Sequence, residues 1–213
     1  MAEIPERPEI KELQRFIMWA DNPSTDENAR SCRLAWGIRD ANPRITVYTN
    51  DPADTVRYGI IYAGMNPETV MILLDKMIKV YKGPKDTKDK IENKTRIRDQ
   101  TTGKYGPIVT HSHTLFGKDA DGICWLSVIE KDRPKIKFEF TLSNFHVFTN
   151  DKGEEMTKEE SSQLQALTTC HLLKKIYPNI VSDYRQRTTP MKTVPANGTP
   201  KVTELSFDDD TEF

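Results

Sequence analysis

The sequence predicts an α+β protein in which antiparallel sheets are combined with two helices. The hydrophobic period switches twice from about two to about 3.6 residues, and a helix-start signal accompanies each switch. In addition, Pro43 aligns with Pro134, and Glu68 with Glu159, at a single offset of 91 residues. These observations favour a duplicated unit of four strands and a helix, with repeat units at residues 15–82 and 91–178.

The first unit begins with four predicted strands, at residues 16–20, 33–39, 44–49 and 58–63. Asn42 and Pro43 mark a turn between the second and third strands. The helix that follows should start with Asn66 as its N-cap and Pro67 at its first position. Its apolar stripe comprises Val70, Leu73, Leu74, Met77 and Ile78.

The second unit repeats this order. Strands are expected at residues 110–116, 123–130, 135–142 and 145–148, with Pro134 in the turn before the third. Thr157 and Glu160 have the spacing of a capping box, and Pro178 should end the helix. The predicted apolar side of this helix includes Leu164, Leu167, Leu172 and Ile176.

Two polar segments lie outside these elements. Residues 83–107 contain seven basic residues and four acidic ones, so they are predicted to be a linker or a mobile basic ribbon with some strand at residues 91–97. Residues 182–213 have too few apolar side chains to offset the entropy of ordering and are predicted to be a disordered tail. A folded domain is therefore expected at residues 1–181.

The charge is distributed unevenly. The last ten residues carry five carboxylates and no basic side chain, so the net charge of −1 leaves +4 on the rest of the chain. A basic body can bind a polyanion, and an acidic tail can compete with it or recruit basic partners.

Composition also limits the cellular setting. There is no run of 18 apolar residues and no basic-then-apolar leader at the N-terminus, which predicts a cytoplasmic protein without membrane partners. The three cysteines are widely spaced and form no CxxC motif, so they are expected to be buried apolar residues: Cys32, Cys124 and Cys170.

The end of the tail is the most specific motif. Residues 205–213 end in a phenylalanine behind several carboxylates, which offers an apolar anchor and negative charge to a basic pocket on a partner. The residues expected to bind a partner are Asp208, Asp209, Asp210, Glu212 and Phe213.

This tail resembles the Phe-ended acidic tails of bacterial and podovirus-type phage single-stranded-DNA-binding proteins. The resemblance implies binding of single-stranded DNA in phage replication or recombination, in the cytoplasm of the host cell, with replication or recombination proteins recruited through the tail. Thr211 and Glu212 stand where the bacterial tails have Ile and Pro.

The duplicated order of four strands and a helix resembles the Whirly fold and the related transcription-coactivator domain. Those proteins bind single strands across antiparallel sheets. Phage proteins of this kind usually have an OB barrel, so a barrel with added helices is the alternative fold.

Binding of a single strand requires basic residues for phosphates and aromatic faces for bases. Alternation along the predicted strands puts Arg44 and Tyr48 on one outer face, and Lys135 and Lys137 on another. Because Arg44 and Lys135 correspond at the offset of 91, two copies on one sheet would form a continuous phosphate track. Trp36 is expected in the core, whereas Trp125 is a candidate for base stacking.

The polar stretch adds further candidates. Arg96 and Arg98 can contact phosphates, and Tyr105 lies between Lys104 and a glycine as a candidate stacking residue. The alternative for each basic residue is an ordinary solvated strand face.

No sequence motif indicates catalysis. The chain has no GxSxG, P-loop, GxGxxG or HExxH pattern, so we expect a protein that is not an enzyme and has no cofactor. His111 and His113 share a strand face, but the pair alone does not define a metal site. Two alternatives are a protein-only adaptor and a metal-dependent nucleic-acid enzyme using dispersed acids: Asp40, Asp119, Asp121 and Glu130.

Overall fold

The structure, a computed structural model, describes residues 13–39, 42–98, 102–142 and 146–183, without the side chains of residues 97, 98, 182 and 183. Sheet 1 contains β1 (Met18–Ala20), β2 (Cys32–Arg39), β3 (Asn42–Tyr48) and β4 (Ile60–Gly64). Sheet 2 contains β5 (Thr87–Arg98), β6 (Tyr105–Lys118), β7 (Cys124–Ile129) and β8 (Phe138–Glu139). Helix α1 (Pro67–Lys82) follows sheet 1, and helix α2 (Lys158–Asp183) follows sheet 2.

Both sheets are antiparallel meanders in which each strand pairs with its neighbours in sequence. The α+β class and the order of four strands and a helix, occurring twice, are confirmed. The alternative of a closed barrel is wrong for the described residues, because they form two separate four-stranded sheets.

The two units differ in how their strands are aligned. The helices begin at Pro67 and Lys158, at the offset of 91 residues, and β2 falls on β7 at nearly the same offset. However, β1 corresponds at this offset to part of β6, so β5 is an additional strand at the start of the second unit. The residues that correspond to β4 form a turn, which is closed by the bridge between Thr149 and Glu155.

Both predicted helix starts are confirmed in atomic detail. The Asn66 side chain accepts a hydrogen bond from the backbone N–H of Thr69 at 2.8 Å. Glu160 donates its backbone N–H to Thr157 Oγ1, and its carboxylate accepts from the Thr157 backbone N–H at 3.1 Å. The second helix therefore begins with a complete capping box.

A single hydrophobic core joins the inner faces of both sheets to both helices. Trp36 is fully buried, as predicted, and its ring contacts Tyr177 of α2. The Tyr177 hydroxyl donates to the carbonyl of Gly37, and the Tyr81 hydroxyl of α1 donates to the carbonyl of Trp125. Each helix is thus hydrogen-bonded to the backbone of a sheet as well as packed against it.

Several predicted boundaries are wrong. The strand expected at residues 91–97 of the polar stretch is confirmed, but it is longer than predicted, because β5 and β6 form a long hairpin there. The first predicted strand shortens to β1, and the fourth begins at Ile60 because the residues before it form a left-handed turn. Of the strand expected at 135–142, only Phe138–Glu139 pairs. Residues 146–148 are not a strand, and residue 145 is not described.

The second helix departs from expectation at its end. Pro178 does not end α2, which continues to Asp183 because Ile180 and Val181 pack against the core one turn later. Its buried stripe is also displaced from the predicted one. Leu164 and Leu172 are exposed, and the buried positions are instead Ala166, Cys170, Leu173 and Tyr177.

The three cysteines are buried and unpaired, as predicted. Burial raises the pKa of Cys32 and of Cys124 to about 11 and that of Cys170 to about 12. Among the described residues, no helix is both long enough and apolar enough to span a bilayer.

Candidate nucleic-acid interface

The outer face of sheet 1 carries arginine and tyrosine side chains from three adjacent strands. On β3 the residues at alternate positions are buried, so Arg44 and Tyr48 point outward, as predicted. The same alternation places Arg33 of β2 and Tyr62 of β4 on this side. We call these four residues the arginine–tyrosine face.

The four side chains are arranged as two stacked pairs. The guanidinium carbon of Arg33 lies 4.2 Å from the centre of the Tyr48 ring, and that of Arg44 lies 3.7 Å from the centre of the Tyr62 ring. These are cation–π distances. Nucleobases can stack on both aromatic rings and guanidinium planes, and the arginines add positive charge for phosphates.

Glycines on the neighbouring strands leave space for the Arg44 side chain on the surface of the sheet. The strand register places Gly37 of β2 and Gly64 of β4 directly opposite Arg44. Because neither glycine has a side chain, the long arginine side chain can lie along the sheet and reach the Tyr62 ring.

Trp19 extends this face to the edge of the sheet. It lies on β1 opposite Arg33, which is itself opposite Tyr48, so the three side chains form one cross-strand row. The Trp19 side chain is 61% exposed. An exposed indole beside an arginine–tyrosine pair is a suitable platform for base stacking.

At the other edge, sheet 1 contacts sheet 2. The Tyr62 ring lies 4.7 Å from the His111 ring of β6, measured between centres. His113 follows on the same face of β6, and its cross-strand neighbour is Ile129. Neighbouring side chains therefore lead from the arginine–tyrosine face onto the outer face of sheet 2.

A buried ion cluster holds the two sheets together at this junction. Arg133 donates to Asp54 at 2.5 Å, to the Ile60 carbonyl at 3.0 Å and to Glu130 at 3.3 Å. Arg57 binds the same Glu130 carboxylate at 2.9 Å. Since the Arg133 and Asp54 side chains are only 3% and 5% exposed, the pairing operates with little screening by solvent.

The turn before β4 presents Tyr58 to solvent. Arg57, Tyr58 and Gly59 have φ angles of 46°, 55° and 75°, a left-handed run that costs roughly 1–3 kcal/mol for each non-glycine residue. The Arg57 contact with Glu130 helps to hold this conformation. Tyr58 is 89% exposed, so the turn that leads into β4 presents a second solvent-facing aromatic side chain.

On sheet 2, three predicted residues come together. Trp125, Lys135 and Lys137 line one concave region of about 330 Å³, which we call the Trp125 cavity. Ile136 and Phe138 point into the core, as predicted, and this leaves both lysines on the outer side. Lys88 of β5 also lines the cavity, although the sequence did not single it out.

Lys137 is engaged by two carboxylates. Its ammonium lies 2.7 Å from Asp119 and 2.9 Å from Glu139. Partial burial works to lower the pKa of Lys137, but the hydrogen bonds to the two carboxylates raise it on balance. Lys137 is therefore a weaker candidate for contacting phosphate than Lys135, which makes no ion pair with a described residue.

The predicted phosphate track on one sheet is wrong. Arg44 lies on β3 of sheet 1, whereas Lys135 lies in the connection to β8 of sheet 2. The two correspond at the offset of 91 in sequence, but they lie on different sheets because each unit builds its own. One path between them leads through the contact of β4 with β6, where the Tyr62 and His111 rings meet.

The long hairpin contains the remaining body candidates. Beyond the last residue paired with β7, β5 and β6 continue as a two-stranded ribbon that we call the arm: residues 93–98 and 105–112. Arg96 is exposed on it, Tyr105 is 40% exposed at the start of β6, and Arg98 pairs with Tyr105 in the strand register. Of the two settings expected for these residues, the ribbon with some strand is observed and the linker is wrong.

The predicted tail contacts at Asp208, Asp209, Asp210, Glu212 and Phe213 lie outside the described residues, as does Asp40. Two of the described acids proposed for a nuclease, Glu130 and Asp119, are used structurally. Glu130 belongs to the ion cluster, and Asp119 accepts hydrogen bonds from two backbone N–H groups of its own turn. Among described residues, no group of three or more potential ligands is placed to hold a metal ion.

Sequence reasoning missed Trp19, Arg33 and Tyr62. The signal was present in each case, because Trp19 and Tyr62 each lie between two apolar residues and Arg33 alternates with Leu34. The same alternation rule that selected Arg44 selects all three.

Comparison of the chain with protein-family models, with curated protein sequences and with solved structures found no match.

Proposed function

We propose that this protein binds single-stranded DNA without strong sequence preference, as a phage replication or recombination protein acting in the host-cell cytoplasm. The observation that carries the proposal is the arginine–tyrosine face, where two arginine–tyrosine stacks lie on one sheet. Arginine and aromatic side chains together can hold phosphates and stack bases in a sequence-tolerant way.

The preference for a single strand follows from the stacking. Bases in a duplex are already stacked on each other, so only an unpaired strand can place them on Trp19, Tyr48 or Tyr62. The exposed indole of Trp19 and the two stacked pairs supply several such contacts across sheet 1.

The acidic tail has a complementary role in this proposal. Its carboxylates compete with DNA for the basic surface of the body and, once displaced, bind replication or recombination partners. The terminal Phe213 provides the apolar anchor for that contact.

The test is fluorescence anisotropy of labelled oligo-dT and of duplex DNA at about 50 mM and 200 mM salt. We expect binding of oligo-dT that weakens with salt and exceeds binding of duplex. A truncation ending at Lys201 should bind more tightly than the full chain.

Point variants localise the contact. Tyr62→Ala should weaken oligo-dT binding by about 5- to 150-fold, the equivalent of about 1–3 kcal/mol for one stacked base. Arg44→Ala should lower the magnitude of the salt slope by about 0.7, as expected for one phosphate contact to a single strand. Lys175→Ala, an exposed residue on α2, is the matched control and should leave both quantities unchanged.

Absence of binding by the full chain and the truncation would overturn the proposal and favour a protein-only adaptor. Mg²⁺-dependent turnover of the DNA would contradict the non-catalytic role and favour the enzyme alternative.

A further inference from the structure

The indole of Trp125 packs against a glycine in the neighbouring strand. Gly117 of β6 is the cross-strand neighbour of Trp125, and a Cβ added there would lie 2.8 Å from the indole Cζ2 and 2.9 Å from Cε2. The indole therefore occupies the space that a side chain at position 117 would fill. Any larger residue at position 117 would push it away.

The indole itself lines the Trp125 cavity, so a ligand in the cavity can contact the ring. A nucleobase binds such an aromatic ring by stacking on it. Leu115 and Ile129 also line the cavity and add apolar surface around the ring.

Two of the lysines that line the cavity are not neutralised by ion pairs with described residues. Lys118 binds Glu159 at 3.3 Å, and Lys137 binds Asp119. The other two lining lysines, Lys88 and Lys135, are exposed and make no ion pair with any residue that the structure describes. Asp86 also lines the cavity and partly offsets these two lysines, so their net contribution to the charge of the cavity is positive.

Strand register places this charge beside the indole. Lys88 is opposite Gly117, which is opposite Trp125, so the three residues form one row across β5, β6 and β7. Lys135 lines the same cavity from the connection to β8. A stacked base on Trp125 would therefore have ammonium groups within the same concave region for its phosphate.

The geometry points to a single-nucleotide subsite in the Trp125 cavity, where one base stacks on Trp125 and its phosphate binds Lys88 and Lys135. Its volume of about 330 Å³ lies in the range typical of small-ligand pockets. This inference deepens the proposed function, because the subsite would hold one nucleotide of a strand that also crosses sheet 1. It differs in predicting that a mononucleotide binds alone.

The test uses the indole N–H signals of the full-length, ¹⁵N-labelled protein, assigned with Trp19→Phe and Trp125→Phe variants. Titration with dTMP should shift the Trp125 signal with a Kd of about 1 mM, as expected for one stack and one phosphate. The buried Trp36 is an internal control and should not shift. Thymidine and inorganic phosphate, tested separately, should each bind at least about fivefold more weakly than dTMP.

Variants assign the phosphate contact. Lys88→Gln with Lys135→Gln should weaken dTMP binding at least about fivefold and leave thymidine binding unchanged. Lys90→Gln is the matched control, because Lys90 lies on the same strand but pairs with Glu92 and does not line the cavity. An unshifted Trp125 signal in the presence of dTMP would overturn the inference, as would inorganic phosphate binding as tightly as dTMP.

Oligo-dT separates this inference from the proposed function. If oligo-dT shifts the Trp19 signal and leaves Trp125 unchanged, the face on sheet 1 binds DNA and the subsite is refuted. If dTMP shifts Trp125 but oligo-dT does not bind, the subsite stands and the proposed function fails.

Discussion

Removal of Arg133 should destabilise the protein far more than removal of an ordinary surface lysine. Arg133 is 3% exposed at its side chain and donates to Asp54, Glu130 and the Ile60 carbonyl. Arg133→Ala leaves two carboxylates at the buried junction without this partner. Breaking a buried ion pair in this way costs about 3–5 kcal/mol.

The matched comparison is Lys76→Ala. Lys76 binds Asp89 at 3.0 Å, but these two side chains are 48% and 41% exposed. An exposed pair of this kind contributes about 0.2–1 kcal/mol. Urea unfolding of wild type and both variants, followed by circular dichroism, measures the two losses on one scale.

A double-mutant cycle then separates the ion pair from lost packing. Arg133→Ala combined with Asp54→Ala should show a coupling of about 0.5–3 kcal/mol, because each single variant leaves the other group buried without its ion-pair partner. Losses of similar size for Arg133→Ala and Lys76→Ala, or additive effects of the two junction substitutions, would refute the role assigned to burial.

Three further outcomes are expected. Thr157→Ala removes the capping box with Glu160 and should lower the free energy of unfolding by about 1 kcal/mol in urea titrations; no change would contradict the observed cap. At pH 8 a thiol reagent should modify the native protein very slowly and label three thiols after unfolding, because burial raises the pKa of all three cysteines: Cys32, Cys124 and Cys170. The hydrogen bond from Lys76 lowers the pKa of Asp89 from its ordinary value of 3.8, so the stability that it contributes is present above that pH and is lost as the pH falls below it. Acid titration of unfolding should therefore show a smaller loss below pH 3.8 for Lys76→Ala than for wild type.

Much of the fold was predictable because local signals agree with burial. The capping residues Asn66 and Thr157 predict where the helices begin, and the alternation around Arg44 predicts which residues lie on the outer face of β3. Both rest on contacts within a few residues of the chain, which sequence patterns report well.

The full length of strand β5 could not be predicted, because its inner face is largely polar. Asn93 is buried, and its amide donates to Ser112 and Thr114 of β6, so a hydrogen-bonded network replaces the usual apolar positions. With lysines on the other side, the segment has no hydrophobic period to detect. Its strand conformation depends on pairing with β6, a tertiary contact.

The displaced stripe on α2 has a similar cause. Small side chains at Ala166 and Cys170 allow the helix to approach its neighbours closely, so they are buried in place of the larger Leu164 and Leu172. Judged by hydrophobicity alone, the two leucines would be predicted to be buried before alanine or cysteine. Which residues of α2 are buried is instead decided by close packing against α1 and the sheets.

For the candidate site, alternation located individual side chains but not their relations. Arg44 and Lys135 were expected on one sheet, and only the fold shows that the junction at Tyr62 separates them. The contact of Trp125 with Gly117 could not be predicted from the sequence either, because the two residues meet only through strand pairing.

The arm has a consequence for how the protein responds to heat and to ligands. Its strands pair only with each other, because the pairing of β6 with β7 starts at residue 113, after the arm. Its residues Ile108 and Val109 are exposed, so separating the two strands removes little apolar contact. Opening the arm should therefore need much less free energy than unfolding the domain, and its amide protons should exchange with solvent ahead of those at the base of the same hairpin. A bound strand that contacts Arg96 would slow this exchange, which makes the arm a natural reporter of occupancy.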